Sequence, residues 1–411
     1  MRWTKTTLGG VSLSIQTGPF GSQLHQSDYS EEGTPVVMPK DLVNGRISED
    51  TIARVDNSHV VRLGRHVISV GDILYSRRGD VGRCAYVHEG EAGWLCGTGC
   101  LRVTVDWTKV NSKFVFYQLQ LPETIGWVEK HAVGSTMLNL NTSILSAVPI
   151  LLPPLDIQRR IADILSAYDD LIENNQKQIK LLEEAAQRLY REWFVELRFP
   201  GYETVPVVDG VPEGWEYKLL SEVFDYVRGK SYTSKELSDA TGVLMANLKN
   251  IRAFGGYNRN AEKRFAGQFK DNQTLTKGDV IMGVTDMTQE RRLVGHVALV
   301  PDIGEELTFS MDLIKIIPKV TNALFIYSAL HYGGISKKIS PLANGVNVLH
   351  LKPEAMLGIK MLIPNDAIVR MYSQQVDPMM SRIDYLQKQC AIAVEARDRL
   401  LPKLMSGEVE V

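Results

Sequence analysis

The residues that could carry out catalysis in this chain do not complete a recognised motif. Segment 224–231 ends in Gly229-Lys230-Ser231 like a phosphate-binding loop, but Phe224 stands where such a loop begins with glycine. No Gly-x-Gly-x-x-Gly follows a predicted strand, and the Gly-x-Ser-x-Gly, His-Glu-x-x-His and Asn-Pro-Pro-Tyr/Phe motifs are absent. The four cysteines have no Cys-x-x-Cys spacing, and the eight histidines are scattered. We therefore predict that the chain is not an enzyme and has no catalytic, metal-binding or cofactor-binding residues.

The composition is typical of a soluble globular protein rather than of a basic nucleic-acid-binding domain. The 411 residues suffice for about three average domains, and no apolar run approaches the ~18–20 residues of a membrane span. The 46 Lys and Arg residues nearly balance the 48 Asp and Glu residues, so any nucleic-acid contact must come from individual loops. The cysteine pattern is typical of reduced thiols, and the N-terminus lacks a signal-peptide core. We therefore expect a cytoplasmic protein.

An internal repeat is the strongest pattern in the sequence. The matched pairs include Trp3 with Trp215, Gly18 with Gly229, Gly71–Leu74 with Gly278–Ile281, Val81-Gly82 with Val294-Gly295, Gly134 with Gly345, Leu140 with Leu351, and Pro153 with Pro364. The separation drifts between 207 and 213 residues and returns to 211, as expected of two homologous halves whose loops differ in length. The largest insertion, at 287–292, lies in the second half. A period near 211 is too long for a solenoid unit, so we predict a duplicated domain pair.

Each half begins with a mixed region of short β-type runs separated by glycine and aspartate turns. The predicted strands include Thr34–Met38, Val67–Tyr75, Leu101–Val105 and Val294–Val300, and the predicted helices lie near Ser112–Gln120 and Thr321–His331. This mixture predicts an α+β fold for both halves.

Both halves then continue into a long helix with the alternating four-and-three spacing of a coiled-coil seam. The first seam comprises Ile157, Ile161, Ile164, Tyr168, Leu171, Asn175, Gln178, Leu182, Ala185 and Leu189; the second comprises Tyr372, Val376, Met379, Ile383, Leu386, Cys390, Ala393, Leu400 and Leu404. Polar residues at seam positions, here Asn175 and Gln178, usually fix the register of a helix pair. We expect Pro378 to break or kink the first turns of the second helix.

Two arrangements of these helices are compatible with the pattern. Each helix could simply cover its own globule, or the two could pair antiparallel and hold the globules apart. The repeat favours pairing, because two copies of one apolar stripe can satisfy each other about a pseudo-twofold axis. The predicted segments are two globular domains, 1–153 and 200–364, each followed by a helical spacer, 154–199 and 365–411 respectively.

Several motifs, in their order and repetition, resemble the specificity subunit of type I restriction–modification enzymes over almost the whole chain. Leu152–Leu165 resembles the start of the conserved helix of that family, Gly134–Leu140 the end of a target-recognition domain, Val211–Glu216 the opening of the second such domain, and Ile15–Ser22 an N-terminal signature. Two positions depart from the family: its usual Glu-Gln after the proline pair is Ile157-Gln158 here, and the copy after Pro364 lacks the glutamine.

The resemblance implies a non-catalytic subunit that selects DNA sequences. Each target-recognition domain would read one half of a bipartite double-stranded DNA target, and the antiparallel helices would set the gap between the halves. The implied partners are two methyltransferase subunits that use S-adenosylmethionine, together with nuclease/translocase subunits in the full complex. This chain itself would bind no cofactor.

Arg and Lys typically contact guanine or phosphate, and Asn and Gln typically contact adenine, so the resemblance directs attention to such side chains in loops after predicted strands. The DNA-binding candidates are Ser22, Gln23, Lys40, Arg77 and Arg78 in the first half, and Arg228, Lys230, Lys249, Asn250, Arg252, Arg291 and Arg292 in the second. The alternative for Arg77 and Arg78 is surface charge pairing with Asp72 or Asp80. Gly134-Ser135 and Asn344-Gly345 fit domain-closing turns better than DNA contacts.

Apolar residues beside the first seam, which we expect to be exposed, are candidate docking contacts for the methyltransferase subunits. They are Ile172, Ile179, Trp193 and Phe194, and the alternative is that they pack between helix and globule. Two other functions remain open on the sequence alone: a self-contained DNA adenine methyltransferase and a duplicated scaffold that does not bind DNA.

Overall fold

A computed structural model describes residues 3–134, 138–238, 240–259 and 261–411. The chain forms two compact units, residues 1–172 with 392–411, and residues 173–391. Both long helices therefore contribute to both units. The four segment boundaries predicted from the sequence remain a prediction. In the described part of the chain, no helix is long and apolar enough to cross a membrane.

The first unit contains twelve strands among its described residues, and its short helices precede the first long helix. The strands are β1 Thr4–Thr7, β2 Ser12–Thr17, β3 Tyr29–Ser30, β4 Thr34–Val37, β5 Leu42–Val43, β6 Arg46–Ile47, β7 Ala53–Val55, β8 Ile73–Ser76, β9 Cys84–Tyr86, β10 Leu95–Cys96, β11 Cys100–Val105 and β12 Pro149–Leu152. The helices are α1 Asn57–Arg62, α2 Ser112–Leu119, α3 Pro122–His131, α4 Thr142–Ser146 and α5 Leu155–Tyr190, the last of which continues into the second unit.

The second unit repeats this order of elements. Its strands are β13 Val207–Val208, β14 Val211–Pro212, β15 Glu216–Leu219, β16 Phe224–Arg228, β17 Leu237–Ser238, β18 Val243–Ala246, β19 Lys263–Phe265, β20 Thr274–Leu275, β21 Val280–Gly283, β22 Thr285–Asp286, β23 Val297–Leu299, β24 Leu307–Phe309, β25 Leu313–Pro318, β26 Leu349–His350 and β27 Lys360–Ile363. The helices are α6 Leu220–Val223, α7 Ala323–His331, α8 Ile335–Ile339 and α9 Asp366–Ser406, and α9 ends in the first unit.

The main sheets of the two units have corresponding strand orders, except that the second unit adds one edge strand, β20, beside β24. An antiparallel sheet in the order β2-β11-β8-β9 corresponds to β16-β25-β21-β23, and the pair β1-β12 corresponds to β15-β27. A second sheet, β10-β4-β7-β3, corresponds to β24-β18-β19-β17, and in both the pair β4-β10 or β18-β24 is parallel. This correspondence confirms the duplication predicted from the repeat.

The same turn precedes the third strand of the antiparallel sheet in both units. Gly71 and Gly278 have φ of 88° and 89°, a left-handed conformation that favours glycine. The next residue closes the turn, because the Asp72 carboxylate accepts a hydrogen bond from Ser69 N at 2.9 Å and Asp279 accepts one from Thr276 N at 2.7 Å. The predicted strand over Val67–Tyr75 is therefore wrong in its first part, which this turn interrupts. The Thr34–Met38 and Leu101–Val105 strands and both short helices are confirmed to within two residues.

The long helices pair antiparallel within each unit. In the second unit Ile179 of α5 packs on Ile383 and Leu386 of α9, while Tyr190 lies 6.0 Å from Tyr372 between ring centroids. Residue numbers thus rise along α5 as they fall along α9. In the first unit the start of α5 shares a core with Leu404 near the end of α9. The predicted antiparallel pair is confirmed by these contacts.

Most of the predicted seam is buried or half-buried, and the exception is informative. Leu171 is 43% exposed, whereas Ile172 is only 8% exposed and takes its place. The expected exposure of Ile172, Ile179, Trp193 and Phe194 is wrong, because all four side chains are at most 9% exposed. Trp193 and Phe194 lie in a π-helical turn after α5 and belong to the core of the second unit, so the alternative of internal packing applies to them.

Pro378 does not break the second long helix, which is continuous from Asp366 to Ser406. Proline removes the hydrogen bond to the carbonyl of Gln374, one turn earlier, and its ring crowds the same carbonyl. Gln374 and Pro378 are both exposed, so this carbonyl lies on the side of the helix away from its buried residues, while Val376 and Ile383 nearby remain buried. The loss of one solvent-side hydrogen bond is tolerated because the buried face stays intact.

Candidate nucleic-acid interface

One end of the antiparallel sheet in the first unit gathers four segments of chain: 18–23, 76–80, 97–99 and 138–140. Gly18 N donates to the carbonyl oxygen of Cys100 at 2.9 Å, and Thr98 Oγ1 donates to that of Pro19 at 2.9 Å. Gly79 N donates to the carbonyl oxygen of Leu138 at 3.2 Å. Most of the predicted candidates of this unit therefore lie in loops that are hydrogen-bonded to each other. Residues 135–137 of the predicted Gly134–Leu140 motif lie outside the described residues.

Arg77 occupies the centre of this loop cluster. Its backbone N–H donates to the carbonyl oxygen of Gly99 at 2.8 Å, and its carbonyl oxygen accepts from Leu140 N at 2.8 Å. The guanidinium carbon lies 5.7 Å from the ring centroid of Phe20, within the range of a cation–π contact. The Nε atom is buried and has no hydrogen-bond partner among the described residues. The backbone and the side chain of Arg77 are thus both held in place. The Nε–H group still lacks an acceptor among the described residues.

The charge-pairing alternative for the two arginines is not seen among the described residues. Asp80 pairs with Arg83, with 2.6 Å between Oδ2 and Nε, and Asp72 is buried and lies 3.8 Å from Arg102 Nε. Arg78 is exposed, and its backbone forms a β-bridge with Asn139. The described residues therefore contain no carboxylate that neutralises Arg77 or Arg78.

The remaining candidates of the first unit differ in their exposure and in whether their side chains already have hydrogen-bond partners within the protein. Ser22 is exposed, whereas the Gln23 side-chain oxygen accepts a hydrogen bond from Phe20 N at 3.0 Å and closes its own loop. Lys40 Nζ donates to the carbonyl oxygen of Thr51 at 2.7 Å, so this ammonium group already has an internal acceptor.

The second unit repeats the backbone hydrogen bonds of this loop cluster but carries different side chains. We call this repeated set of backbone hydrogen bonds the strand-end frame. Gly229 N donates to Leu313 O at 3.1 Å, as Gly18 does to Cys100. Val284 N donates to the carbonyl oxygen of Asp312 at 2.8 Å, and the Val284 carbonyl accepts from Leu351 N at 2.8 Å. These are the hydrogen bonds of Arg77, so Val284 and Thr285 occupy the places of Arg77 and Arg78. Arg291 and Arg292 come seven residues later along the same loop, inside the insertion.

A glycine is required at the first position of this frame in both units. A Cβ atom added to Gly18 would lie 2.0 Å from the carbonyl oxygen of Gly97, and one added to Gly229 would lie 2.0 Å from that of Ser310. Real Cβ atoms do not approach backbone oxygens so closely, and both neighbours are main chain. The repeated glycines therefore follow from close approach of two backbone segments.

The buried carboxylate of Asp286 organises the insertion that carries Arg291 and Arg292. It accepts hydrogen bonds from Thr288 N at 2.7 Å, Thr288 Oγ1 at 2.8 Å, Leu293 N at 2.6 Å and Val294 N at 3.2 Å, and Asp286 is 0% exposed. Burial alone would raise the pKa of Asp286, but the hydrogen bonds from Leu293, Thr288 and Val294 outweigh it and hold the pKa below 3.8. The insertion is therefore a fixed loop whose ends are tied to one anion.

The arginines of this insertion are held differently from each other. Arg291 has φ of 52°, and its Nε is buried without a hydrogen-bond partner among the described residues. Arg292 forms an ion pair with Glu290, and its carbonyl oxygen accepts from Phe254 N at 2.7 Å. Gln289 Nε2 donates to the carbonyl oxygen of Val346 at 2.8 Å and ties the insertion to a neighbouring loop.

The other candidates of the second unit differ in whether their side chains already have contacts within the protein. Arg228 pairs with Glu354 at 2.8 Å, and hydrogen bonds from Tyr226 and the charge of Arg228 lower the pKa of that carboxyl group to about 2. Arg252 forms an ion pair with Glu183 of α5. Lys249 is exposed, and Lys230 is half-buried beside Phe309, to whose carbonyl oxygen its backbone N–H donates.

Asn250 is a structural residue, so its prediction as a DNA contact is wrong. It is 0% exposed, its Oδ1 accepts from Asn247 N at 2.9 Å, and its Nδ2 donates to the carbonyl oxygen of Asn258 at 3.0 Å. Asp41 makes the same capping bond in the first unit, accepting from Met38 N at 2.8 Å. The sequence signal that could have identified Asn250 as a buried capping residue is the three-residue spacing between Asn247 and Asn250.

Polar contacts along the helix pair connect it to the rest of each unit. In the first unit, Asp169 of α5 accepts from Tyr117 Oη at 2.5 Å and pairs with Arg397 of α9 at 2.7 Å. In the second unit, the Asn175 side chain is 5% exposed and hydrogen-bonds the Cys390 thiol, whose pKa burial raises. Gln178 Oε1 accepts from Arg382 Nη2 at 3.3 Å. Both seam residues predicted to fix the register therefore contact α9.

Gln158 explains why the start of the first long helix carries a glutamine. It is 2% exposed, its Nε2 donates to the carbonyl oxygen of Pro153 at 2.9 Å, and its Oε1 accepts from Asn111 N at 3.0 Å. In the second copy Val369 stands at this place, and Asn322, the counterpart of Asn111, instead donates to Ser373 Oγ at 2.9 Å. The lost glutamine is thus replaced by a different polar link to the helix.

Comparison with known proteins identifies the family. The model of the type I restriction modification DNA specificity domain matches twice, over residues 2–184 and 212–395. The MjaIX specificity subunit of a type I restriction enzyme from Methanocaldococcus jannaschii is 25% identical over 404 residues, covering 93% of this chain and 88% of that protein. The HindI specificity subunit from Haemophilus influenzae is 21% identical over 476 residues, covering 99% of both chains.

A solved structure shares the fold. The crystal structure of the S subunit of a type I restriction–modification system from M. genitalium aligns with a TM-score of 0.64 at 18% sequence identity, covering 98% of this chain and 96% of that one. Within the described ranges, no three His, Cys, Asp or Glu side chains are grouped as metal ligands. Each of the two family matches contains one copy of the strand-end frame. This chain therefore belongs to the type I restriction–modification DNA specificity family, and it is a specificity subunit of a type I restriction–modification system.

Proposed function

We propose that each unit reads one half of a bipartite DNA target with the loops at the end of its antiparallel sheet. The observation that carries this proposal is that one backbone frame occurs twice and presents different side chains: Arg77 and Arg78 in one copy, Val284 and Thr285 in the other. Two different readers in one chain accept two different half-targets, so the whole target need not be a palindrome. The candidate contacts are Ser22, Gln23, Arg77 and Arg78, with Lys230, Lys249 and Arg291 in the second unit.

The four candidates with internal acceptors have a smaller part in this proposal. Lys40, Arg228 and Arg252 each already donate to an oxygen of the chain, so DNA would have to displace that acceptor. Arg292 pairs with Glu290, but both side chains are at least half exposed, and a phosphate can compete for such an ion pair.

The paired helices set the gap between the half-targets in this account. At 1.5 Å per residue, the 36 residues of α5 extend about 54 Å and the 41 residues of α9 about 62 Å. One helical turn of DNA is about 34–36 Å, so helices of this length suffice to separate two readers by a turn. The antiparallel contacts, the Asp169–Arg397 ion pair and the buried Asn175 support a fixed register.

The partners in this proposal are two methyltransferase subunits that bind S-adenosylmethionine and nuclease/translocase subunits in the complete enzyme. The support is the family, whose members here are named as specificity subunits of restriction enzymes. The chain itself contributes no catalytic group, because its sequence lacks the motifs of a methyltransferase or a hydrolase. A cytoplasmic location agrees with this function and remains a prediction.

A footprinting experiment tests the proposal. The chain is mixed with a methyltransferase partner and a randomised duplex library, bound duplexes are sequenced, and the selected duplex is footprinted. We expect two protected blocks of unrelated sequence separated by an unspecified gap. A single continuous block, or no selection at all, would contradict the proposal. Methyl transfer by the purified chain alone would instead support a self-contained enzyme.

The role of the helices needs a separate variant. One heptad is inserted immediately after Ile179 in α5 and another immediately before Ile383 in α9, because the helices are antiparallel and only this placement keeps the paired faces in register. The selected duplexes should keep both half-targets and change only the gap. An insertion of one heptad between the exposed residues of a surface loop, such as 209–210, is the control and should leave the gap unchanged.

A further inference from the structure

We propose that Arg77 recognises a guanine base in the half-target of the first unit, while the adjacent Arg78 contacts a phosphate. This inference rests on the proposed function, since it requires the strand-end loops to face DNA. It goes further by naming a base and by assigning different roles to two neighbouring arginines.

The position of Arg77 is fixed before any ligand binds. Two backbone hydrogen bonds, to Gly99 and from Leu140, hold the main chain, and the guanidinium group lies against Phe20. Phe20 is itself positioned by its loop, because Phe20 N donates to Gln23 Oε1 at 3.0 Å. A planar guanidinium that is already stacked loses little side-chain entropy when it forms two parallel hydrogen bonds. Base recognition requires such a fixed direction.

The donors of Arg77 are not used within the protein. No carboxylate in the described residues forms an ion pair with it, and its buried Nε has no acceptor. A half-buried cation without a partner costs free energy in the free protein, and an external acceptor recovers that cost. Guanine presents two acceptors, O6 and N7, side by side in the major groove, and a guanidinium group matches both.

Arg78 has the opposite properties. Arg78 is exposed and forms no ring contact or ion pair with the described residues. Its backbone forms a β-bridge with Asn139. A contact to phosphate tolerates variable geometry and gains from charge alone. The two arginines therefore divide into a fixed donor pair suited to a base and a free charge suited to the DNA backbone.

The second unit supplies a natural comparison. Val284 replaces Arg77 in the same backbone frame and has no side-chain donor, and Ser231 replaces Phe20 at the matched position of the glycine loop. The guanine requirement is therefore expected in the half-target of the first unit only, at the position that faces this part of the frame.

The experiment uses the full chain with its methyltransferase partner and the duplex selected from the randomised library. Each guanine of the first half-target is replaced in turn by 7-deazaguanine, which lacks the N7 acceptor but still pairs with cytosine. We expect one replacement to weaken binding about five- to hundredfold, the range of one bidentate base contact. Arg77→Met, which keeps an unbranched side chain but has no hydrogen-bond donor, should abolish that sensitivity and relax the base preference at the same position.

Arg78→Ala is the matched control for charge. It should leave every base preference unchanged and reduce the slope of log affinity against log salt by about one. The second half-target, read in the same library, shows whether each variant remains folded and active. A first half-target without guanine, or an Arg77→Met variant that keeps every preference, would overturn the inference. In either case an intact bipartite target would leave the proposed function standing, whereas the absence of any bipartite target would remove both.

Discussion

The strand-end loops of the two units share a skeleton but differ in how they present charge. In the first unit, two arginines with no carboxylate partner in the described part of the chain lie directly at the strand end, one of them in a cation–π contact with Phe20. In the second, the same places hold Val284 and Thr285, and the arginines lie in an insertion organised by the buried carboxylate of Asp286. The hydrogen bonds that repeat are between backbone atoms, so the side chains can change without loss of the frame.

This difference explains how one fold provides two specificities. The frame depends on backbone hydrogen bonds and on two glycines, neither of which selects a base. The side chains placed on it can be replaced, and a loop can be inserted, because their removal leaves the backbone contacts intact. The proposed function therefore predicts that specificity is separable from stability at most positions, and that Asp286, which organises the insertion, contributes to both.

The largest effect is expected where the two units are alike. Gly18→Ala and Gly229→Ala should each lower the free energy of unfolding by about 3 kcal/mol, because the new Cβ would overlap a backbone oxygen that lies 2.0 Å away. Urea denaturation followed by tryptophan fluorescence measures the change. Gly21→Ala is the control, since a Cβ there meets nothing within 4 Å. Equal tolerance of all three substitutions would show that the frame is not the shared element.

A smaller effect is expected at Asp286, which has no counterpart in the first unit. Asp286→Asn should cost about 2 kcal/mol, because hydrogen bonds to a charged acceptor are replaced and an amide donor is buried without an acceptor. The variant should also relax the base preference of the second half-target and leave the first unchanged. Asp80→Asn, which loses only a surface pair with Arg83, should cost less than about 0.5 kcal/mol. Loss of preference in both half-targets would contradict a local role for Asp286.

The stability contributed by Asp286 also has a defined pH dependence. Its pKa in the folded protein lies below the ordinary 3.8, so its stabilising effect is complete above that value and is lost as the pH falls through the lower folded pKa. The difference in unfolding free energy between wild type and Asp286→Asn should therefore be constant from pH 5 to 8 and should shrink as the pH falls below about 4. A difference that grows on acidification would show that the carboxylate is protonated in the folded state.

The smallest effect is expected from single exposed charges, and it distinguishes paired from unpaired arginines. Arg78→Ala should lower the salt dependence of DNA binding by close to one full phosphate contact, a slope change of about 0.9. Arg292→Ala should change the slope less, because Glu290 already neutralises that charge. Titrations of one duplex at four salt concentrations give both slopes. A larger change for Arg292 would mean that its ion pair opens on DNA.

The fold was largely predictable from the sequence because its signals are periodic and repeated. The shared glycines, the Gly71-Asp72 turn and the proline before each long helix marked two copies, and the four-three spacing marked the seam. The one-residue error at Leu171 arose because a helix that packs on a second helix and a globule buries a wider stripe than a seam. Because the buried stripe is wider than a seam, the seam pattern did not predict that Ile172 and Ile179 are buried.

The candidate site was only partly predictable. Charge and amide content pointed to Arg77 and Arg78 correctly as loop residues at a strand end, but the same criterion selected Asn250, whose side chain caps a buried turn. Phe20 was missed because its contact with Arg77 joins two segments far apart in sequence. Asp286 was missed because its hydrogen bonds, although they come from residues only two to eight positions later, depend on how the insertion folds back over the carboxylate. Arg252 was chosen for its charge, yet its partner Glu183 lies 69 residues away. Spacing along the chain does not encode such contacts.

The exchange of one reader is the most direct test of the central claim. Residues 1–153 are replaced by the corresponding domain of another family member, and the base preferences of the chimera are read with its methyltransferase partner on the randomised library. We expect a new first half-target, an unchanged second half-target and an unchanged gap. A change in both half-targets, or in neither, would contradict the account of two independent readers on one repeated frame.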